Sequence, residues 1–227
     1  MLIAIPSLLS AEDVAHCRQV LEASDWVDGK VTAGAQSARA KNNLQVPVTA
    51  PQAKALGELI LTRLGRNPTF LAAALPAKVV PPMFNRYDVG MGFGAHIDNA
   101  IRFGEGAGAR YRTDLSCTLF LSDPTDYDGG ELVIEAAYGL QTVKLSAGDL
   151  VLYPASSVHR VEAITRGSRW ASFFWVQSMV RDDGQRALLY DLDQAIVAAR
   201  ADLNDDHRAV IGLTGAYHNL LRMWADA

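Results

Sequence analysis

The pattern of hydrophobic and polar positions changes twice along the chain. Up to residue 77, apolar residues recur three and four positions apart. This predicts one helix that begins after Ser10 and a second that runs from about Pro51 to Leu64 and stops at Gly65. From residue 78 to 178, short apolar runs alternate with turns rich in Gly, Pro and Asp, which predicts β-strands. Helical spacing then returns. We therefore predict N-terminal helices after one short strand (1–77), a β-rich core (78–178) and a C-terminal helical extension (179–227).

The β-rich segment contains several short strands joined by tight turns. They are predicted at 79–87, 115–121, 131–135, 140–145, 149–153, 159–164 and 169–177. Such strands favour a sandwich or barrel, and in a double-stranded β-helix, or jelly roll, early and late strands meet at the barrel mouth. The fold class is therefore predicted to be mainly β with flanking helices and a jelly-roll core.

Residues 28–50 have no clear period, so Lys41, Asn42 and Asn43 either line a pocket mouth or belong to a polar loop, and we favour the loop.

Composition and charge exclude several classes of partner. Of the 227 residues 49% are hydrophobic, which suits one globular core, and the net charge is -4 without any Lys/Arg block. Nucleic acid and anionic membranes are therefore not expected partners. The apolar N-terminus lacks the basic region that a secretory signal peptide has, so no signal peptide is predicted. No apolar run is long enough to span a membrane, so we expect a cytoplasmic protein. Cys17 and Cys117 are far apart and are predicted to be buried free thiols.

The candidate chemistry lies in the stretch 90–98, where alternate glycines precede His96 and Asp98. In an extended chain these two side chains share one face, so an imidazole and a carboxylate converge. A jelly roll would bring His159 beside them. Two histidines and one carboxylate form the facial triad of non-haem Fe(II) sites, which leaves positions open for substrate and oxygen. The other histidines are predicted to lie outside the site: His16, His207 and His218.

Arg169 follows His159 by ten residues and begins the next predicted strand. Along that strand it shares a face with Ala171, Phe173 and Trp175. A buried arginine is costly without an anionic partner, and no nearby acid in the sequence is an obvious one. A guanidinium fork that binds a small-molecule carboxylate would meet this need. The alternative is an arginine at a strand end in water.

Residues 99–112 combine glycines with three arginines, Arg102, Arg110 and Arg112. The segment is too rich in glycine for regular structure to be predicted. We interpret it either as a mobile lid over the site or as a solvated loop. If it is a lid, its arginines favour an acidic substrate.

These residues together resemble the Fe(II)/2-oxoglutarate dioxygenases. The resemblance rests on the Gly94-x-His96-x-Asp98 motif, on His159 and on Arg169. The turn at 128–132 and the Gly-Asp pair at 148–149 extend it. It is closest to the bacterial PKHD-type hydroxylases, which are similar to prolyl and lysyl hydroxylases, and it covers nearly the whole chain.

The resemblance implies a role for each matching residue. His96, Asp98 and His159 would bind Fe(II), and Arg169 would pair with the distal carboxylate of 2-oxoglutarate. Tyr87 would help to hold this cosubstrate, although a tyrosine in a strand is also typical of a core. A second cosubstrate tyrosine of the animal enzymes is replaced here by Phe120. The hydroxyl that this change removes would be supplied by one of three residues: Tyr87, Ser116 or Thr118.

The resemblance also implies an oxygen-dependent hydroxylation that releases succinate and CO2, with ascorbate as a reductant for iron. The substrate is not identified; a protein residue, a peptide and a siderophore-like metabolite stay open. Asp98 occupies the position that halogenase relatives leave free, which favours hydroxylation. The C-terminal helices either pack on the sheet or form a homodimer surface.

Two interpretations from other classes compete with this one. A cupin-like metal-binding sensor without turnover would share the barrel and the metal cluster but would not need Arg169. A hydrolytic zinc enzyme would use His96, Asp98 and His159 around a metal-bound water. It would also need a general base, and Glu131 and Glu162 are poorly spaced for that role.

Overall fold

The computed structural model describes residues 1–32, 34, 36–103, 110–136 and 139–226. In this part of the chain most strands are short, and they are β1 (Ile3–Ile5), β2 (Val27–Asp28), β3 (Lys41–Asn42), β4 (Leu44–Gln45), β5 (Pro76–Val79), β6 (Met83–Tyr87), β7 (Gly92–His96), β8 (Ile101–Phe103), β9 (Arg110–Arg112), β10 (Leu115–Phe120), β11 (Tyr127–Gly129), β12 (Leu132–Ala136), β13 (Gly139–Val143), β14 (Leu150–Pro154), β15 (His159–Val161), β16 (Ile164–Gly167) and β17 (Arg169–Ser178). The helices are α1 (Ala11–Glu22), α2 (Ser37–Ala40), α3 (Pro51–Leu64), α4 (Pro68–Ala74), α5 (Asp183–Leu203) and α6 (Arg208–Trp224).

The described strands form two principal antiparallel sheets. The larger sheet has the order β1-β14-β10-β17-β6-β4-β2, with β5 also paired to β17. The smaller has the order β13-β12-β15-β7-β3. Buried side chains of both sheets, among them Tyr87, Phe120, Leu132 and Ile134, form one hydrophobic cluster. The two sheets therefore pack face to face, and the mainly β class with flanking helices is confirmed.

Helices α1, α3 and α4 cover the outer face of the larger sheet. Leu21, Leu56 and Phe70 from these helices join Phe84 and Phe174 from the sheet in a second cluster. Because successive residues of a strand face opposite ways, Phe174 points to the helices, while Arg169, at odd spacing from it, is on the inner face. The helices thus hold the strands that carry the cleft.

The helix ends follow local sequence signals. Ser10 caps α1: its hydroxyl accepts a hydrogen bond from the Asp13 backbone NH, and the Asp13 carboxylate accepts one from the Ser10 backbone NH, so a capping box is present. Helix α3 begins at Pro51 and ends before Gly65, as predicted. None of the described helices is long and apolar enough to cross a membrane.

Three local predictions differ from the structure. Lys41, Asn42 and Asn43 were favoured as a polar loop, but β3 and β4 extend the two sheets there, so the segment 1–77 contributes more strands than the one predicted. The strand predicted at 159–164 is divided between β15 and β16, which pair with different partners. The predicted lid contains the hairpin β8–β9 at its two ends. Its centre, residues 104–109, lies outside the described residues.

Candidate metal centre

The three predicted metal ligands lie together between the sheets. Strands β7 and β15 are antiparallel neighbours, and His96 is directly opposite His159. Their imidazole centroids are 4.2 Å apart. Asp98 follows the end of β7, and one ligand atom from each of the three residues lies within 4.8 Å of the others. The remaining histidines, which are exposed, are not part of this cluster.

A β-bulge in β7 orients the first histidine. Phe93 is opposite Val161 and His96 is opposite His159, so three steps along β7 match two steps along β15. On a regular strand Phe93 and His96 would face opposite ways, but the extra residue places both on the inner face. Their rings stack with centroids 3.6 Å apart. The Phe93 ring thus supports the His96 imidazole.

Backbone carbonyls fix the tautomer of both imidazoles. His96 Nδ1 lies 2.8 Å from the Gly94 carbonyl oxygen, and His159 Nδ1 lies 3.0 Å from that of Ser157. Because a carbonyl only accepts, each Nδ1 carries a proton, and in the neutral form of each ring Nε2 keeps its lone pair for a metal. A metal-binding histidine usually donates its other ring N–H to a carbonyl or a carboxylate in this way. The Nε2 of His159 lies 3.8 Å from Asp98 Oδ2.

The carboxylate ligand is held from the opposite sheet. The Ser116 hydroxyl, on β10, donates a hydrogen bond of 2.5 Å to Asp98 Oδ2. Ser116 was considered as a substitute hydroxyl for the cosubstrate, but in the structure its hydroxyl serves the aspartate instead. A carboxylate oriented in this way needs less reorganisation when a metal binds.

The donor set fits a divalent transition metal. Burial, and next the neighbouring His159, lower the pKa of His96 to about 4, so this imidazole is neutral at pH 7, as a metal ligand must be. Two imidazole nitrogens and one carboxylate on one side of a cleft are typical of non-haem Fe(II) oxygenases. Open coordination positions would face the cleft, whose volume is about 740 Å³ when the space open to solvent is included.

Arg169 lines the same cleft and is 1% exposed. Its guanidinium carbon lies 5.1 Å from the ring centroid of Phe120 and 5.5 Å from that of Tyr87. Among the described residues its Nε has no hydrogen-bond partner, and no carboxylate pairs with the guanidinium. An unpaired buried cation is costly, so the arrangement calls for an anionic ligand.

Sequence analysis missed two residues beside Arg169. Tyr127 is fully buried, and its hydroxyl has no hydrogen-bond partner among the described residues. Burial raises the pKa of Tyr127, and the nearby Arg169 opposes this shift. Gly130 has φ +69, and a Cβ there would lie 3.0 Å from Tyr127 Cε2 and 3.1 Å from Arg169 Cδ. A buried tyrosine one residue before the Asp-Gly-Gly turn was the available signal.

Lys41, which was assigned to a polar loop, is 4% exposed and lines the cleft. The β3–β7 pairing places it opposite Phe93, beside His96. Sequence periodicity could not reveal this position because β3 is only two residues long.

The three arginines of the predicted lid have different environments. Arg102 lines the cleft, with its guanidinium carbon 4.0 Å from the ring centroid of Trp175. Arg110 is exposed. Arg112 forms an ion pair with Asp114 at 2.7 Å and donates a hydrogen bond to the Ser178 carbonyl. Among the three, therefore, only Arg102 is placed to contact a ligand in the cleft.

Two family models match the chain. The 2OG-Fe(II) oxygenase superfamily matches residues 82–177, and the PKHD-type hydroxylase C-terminal domain matches residues 183–226. A PKHD-type hydroxylase from Gluconobacter oxydans, GOX0559, is 62% identical over 226 residues, which cover 100% of both chains. The chain belongs to the PKHD-type hydroxylases. It is therefore a 2-oxoglutarate-dependent hydroxylase, which uses Fe(II) and O2, and the enzyme interpretation prevails over the cupin-like sensor.

Solved structures share the fold at low identity. A prolyl hydroxylase from Trichoplax adhaerens, in complex with a hypoxia inducible factor peptide, matches with a TM-score of 0.55 and 17% identity, over 82% of this chain and 86% of that chain. HygX from Streptomyces hygroscopicus, with nickel, 2-oxoglutarate and hygromycin B bound, matches with a TM-score of 0.54 and 16% identity, over 78% and 82%. These likenesses concern the fold, and they confirm the predicted jelly-roll core.

Proposed function

We propose that this enzyme hydroxylates a small molecule or a peptide, with release of succinate and CO2. One observation carries the proposal: His96, Asp98 and His159 line the same cleft as Arg169. Arg169 is a buried cation that pairs with no carboxylate among the described residues. The enzyme class requires a dicarboxylate cosubstrate. The cleft offers a set of three metal ligands for one end of it and a guanidinium for the other.

In this proposal His96 and His159 would hold Fe(II) through Nε2, and Asp98 would contribute the negative ligand. When bound, iron supplies the activation of oxygen that couples decarboxylation of 2-oxoglutarate to oxidation of a substrate C–H bond. The protein contributes geometry. The backbone carbonyls and Ser116 fix the directions of the three ligands, and Phe93 supports one imidazole ring.

Arg169 would bind the distal carboxylate of 2-oxoglutarate through two parallel hydrogen bonds. Tyr87 and Phe120 form aromatic walls beside the guanidinium, and Phe120 has no hydroxyl to offer. Tyr127 has a buried hydroxyl without a partner among the described residues, near Arg169, so it would supply the hydrogen bond that Phe120 lacks. These aromatic rings also exclude water from the anchor.

The remaining parts of the proposal concern conditions rather than geometry. Ascorbate would return oxidised iron to the ferrous state after uncoupled turnover. A reducing compartment, the cytoplasm, is proposed because both cysteines are free and buried. The peptide and the antibiotic named for the two structural neighbours support only the statement that this fold accommodates either kind of ligand.

The first test is an anaerobic titration of the metal-free protein with Fe(II) and then with 2-oxoglutarate. A keto acid chelated to Fe(II) gives a weak visible charge-transfer band, and we expect this band in the wild type. Arg169→Ala should need at least roughly 100-fold more 2-oxoglutarate to form the band, since two charge-assisted hydrogen bonds are lost.

Arg166→Ala is the matched control, because Arg166 is an exposed arginine paired with Asp128 on the neighbouring strand. Its band should form at the wild-type cosubstrate concentration. Absence of the band in wild-type protein that binds one Fe(II) tightly would contradict the proposal. An unchanged affinity of Arg169→Ala for 2-oxoglutarate would show that Arg169 does not bind the cosubstrate.

A further inference from the structure

Besides Arg169, a pair of cations, Lys41 and Arg102, lines the cleft on the side of β3 and β8. Lys41 Nζ donates a hydrogen bond of 3.1 Å to the Thr32 hydroxyl, and Arg102 Nη2 donates one of 3.4 Å to the Thr32 carbonyl. One residue thus holds both cations. The Thr32 hydroxyl in turn donates to Gln45 Oε1 at 2.6 Å, which fixes its direction.

Neither cation forms a salt bridge among the described residues, and Asp98 is the acid whose charge acts on both of them. A lysine ammonium has three donors and a guanidinium has five, so most of these donors stay available for a ligand. Aromatic rings surround the pair: Lys41 Nζ lies 5.4 Å from the Phe93 centroid and 5.6 Å from the Phe173 centroid, and Arg102 stacks on Trp175. Trp175 Nε1 is also buried without a partner among the described residues.

The cation pair is not needed by the metal or the cosubstrate, an argument that rests on the proposed function. Among the described residues that line the cleft, Asp98 is the one acid, whereas Lys41, Arg102 and Arg169 are cations. Fe(II) and Arg169 together balance the charges of Asp98 and the 2-oxoglutarate dianion. Lys41 and Arg102 then leave two positive charges without compensation in a partly buried site, which is unfavourable.

Lys41 is held on the His96 side of the metal cluster. It pairs in register with Phe93, whose ring stacks on His96. Burial, and next Arg102, lower the pKa of Lys41 to about 8, while Asp98 opposes the shift. The ammonium is therefore mostly protonated at pH 7.

We propose that Lys41 and Arg102, with Trp175 beneath the guanidinium, form the substrate subsite and bind anionic oxygens. The substrate is therefore an acidic small molecule, which presents carboxylate or phosphate oxygens to this pair and a C–H bond to the metal. The aromatic rings favour a flat or apolar body next to the anionic groups.

The test measures binding without turnover, by isothermal titration of protein loaded with Zn(II) and 2-oxoglutarate. The probes are isophthalate, phenyl phosphate and the neutral isophthalamide. We expect isophthalate or phenyl phosphate to bind at least about tenfold more tightly than isophthalamide. The stronger of the two anions identifies carboxylate or phosphate as the preferred group.

Lys41→Gln and Arg102→Gln should each weaken binding of the preferred anion by about tenfold or more and leave isophthalamide unchanged. Arg110→Gln is the matched control, an exposed arginine in the same hairpin as Arg102, and should change binding by less than about threefold. Two variants are used because loss of the buried Lys41 could perturb folding, and far-ultraviolet circular dichroism checks each of them.

Equal binding of the anionic and neutral probes, or no binding of either anion, would overturn the proposal. So would anion binding that neither variant weakens. The Fe(II)/2-oxoglutarate charge-transfer band is recorded on the same preparations. A normal band without anion preference rejects the subsite alone, whereas a missing band rejects the proposed function on which it rests.

Discussion

Replacement of Arg169 by methionine separates the stability of the protein from its affinity for the cosubstrate. The guanidinium is 1% exposed, and its Nε has no partner among the described residues. An unsatisfied buried donor costs about 1–3 kcal/mol, and replacement of buried charged groups by apolar ones is often neutral or stabilising. We therefore expect Arg169→Met to be at least as stable as the wild type without 2-oxoglutarate. A gain of about 1–3 kcal/mol would raise Tm by roughly 2–4 °C for each kcal/mol.

The affinity for 2-oxoglutarate should change in the opposite direction. Two charge-assisted hydrogen bonds of about 1.5–3 kcal/mol each would be lost, which is roughly a 10²- to 10⁴-fold weaker complex. In the wild type, cosubstrate at 100 times its Kd stabilises the protein by about 2.7 kcal/mol. The same concentration should give Arg169→Met almost no stabilisation.

The assay is thermal unfolding of Zn(II)-loaded protein, followed by circular dichroism with and without 2-oxoglutarate. Arg166→Met serves as the control, because Arg166 is exposed and its ion pair with Asp128 contributes little. An undiminished shift of Tm by 2-oxoglutarate in Arg169→Met would refute the anchor. A Tm well below that of the wild type without cosubstrate would show that the guanidinium already has a stabilising partner.

Three further predictions concern the surroundings of the site. Ser116→Ala removes the hydrogen bond to the aspartate ligand, so Fe(II) affinity measured against a chromophoric chelator should fall by roughly 10–100-fold. Gly130→Ala places a methyl group against Ile164, and next against Tyr127 and Arg169, at φ +69, and urea unfolding should show a loss of about 1–3 kcal/mol. Burial raises the pKa of Cys17 to about 11 and that of Cys117 further, so Ellman's reagent at pH 8 should label neither thiol until denaturant is added.

Each of these predictions has an outcome that contradicts it. An unchanged Fe(II) affinity in Ser116→Ala would mean that Asp98 is oriented without the serine. Ser146→Ala is the control, because Ser146 is an exposed serine in the turn before β14. A wild-type urea midpoint in Gly130→Ala would show that the turn can adjust. Rapid labelling of a thiol in the native protein would show that its site opens readily to solvent.

Local signals predicted those elements whose limits depend on nearby residues. Helix α3 starts at Pro51 and stops before Gly65, as the sequence indicated, because proline and glycine act within one turn. His159 was placed beside His96 by the topology of a jelly roll, and the β7–β15 pairing agrees with this. The division of the chain at 77 and 178 stays a prediction.

Residues whose position depends on distant pairing were harder to predict. Lys41 reaches the cleft only through the pairing of a two-residue strand with β7. Ser116 contacts Asp98 from the other sheet. Tyr127, on β11, lies beside Arg169, which is on β17. Neither hydrophobic period nor motif spacing encodes such contacts, because they arise when separate strands are packed together.

Because of the bulge in β7, the geometry of the proposed metal site depends on the number of residues in this strand. Because one extra residue between Phe93 and His96 decides which side of the sheet the imidazole faces, deletion of Ala95 would straighten the strand without touching a ligand. The fold would lose one small exposed residue, and His96 would turn outward. Deletion of a single residue outside the proposed ligand set would therefore separate the His96 imidazole from Asp98 and His159.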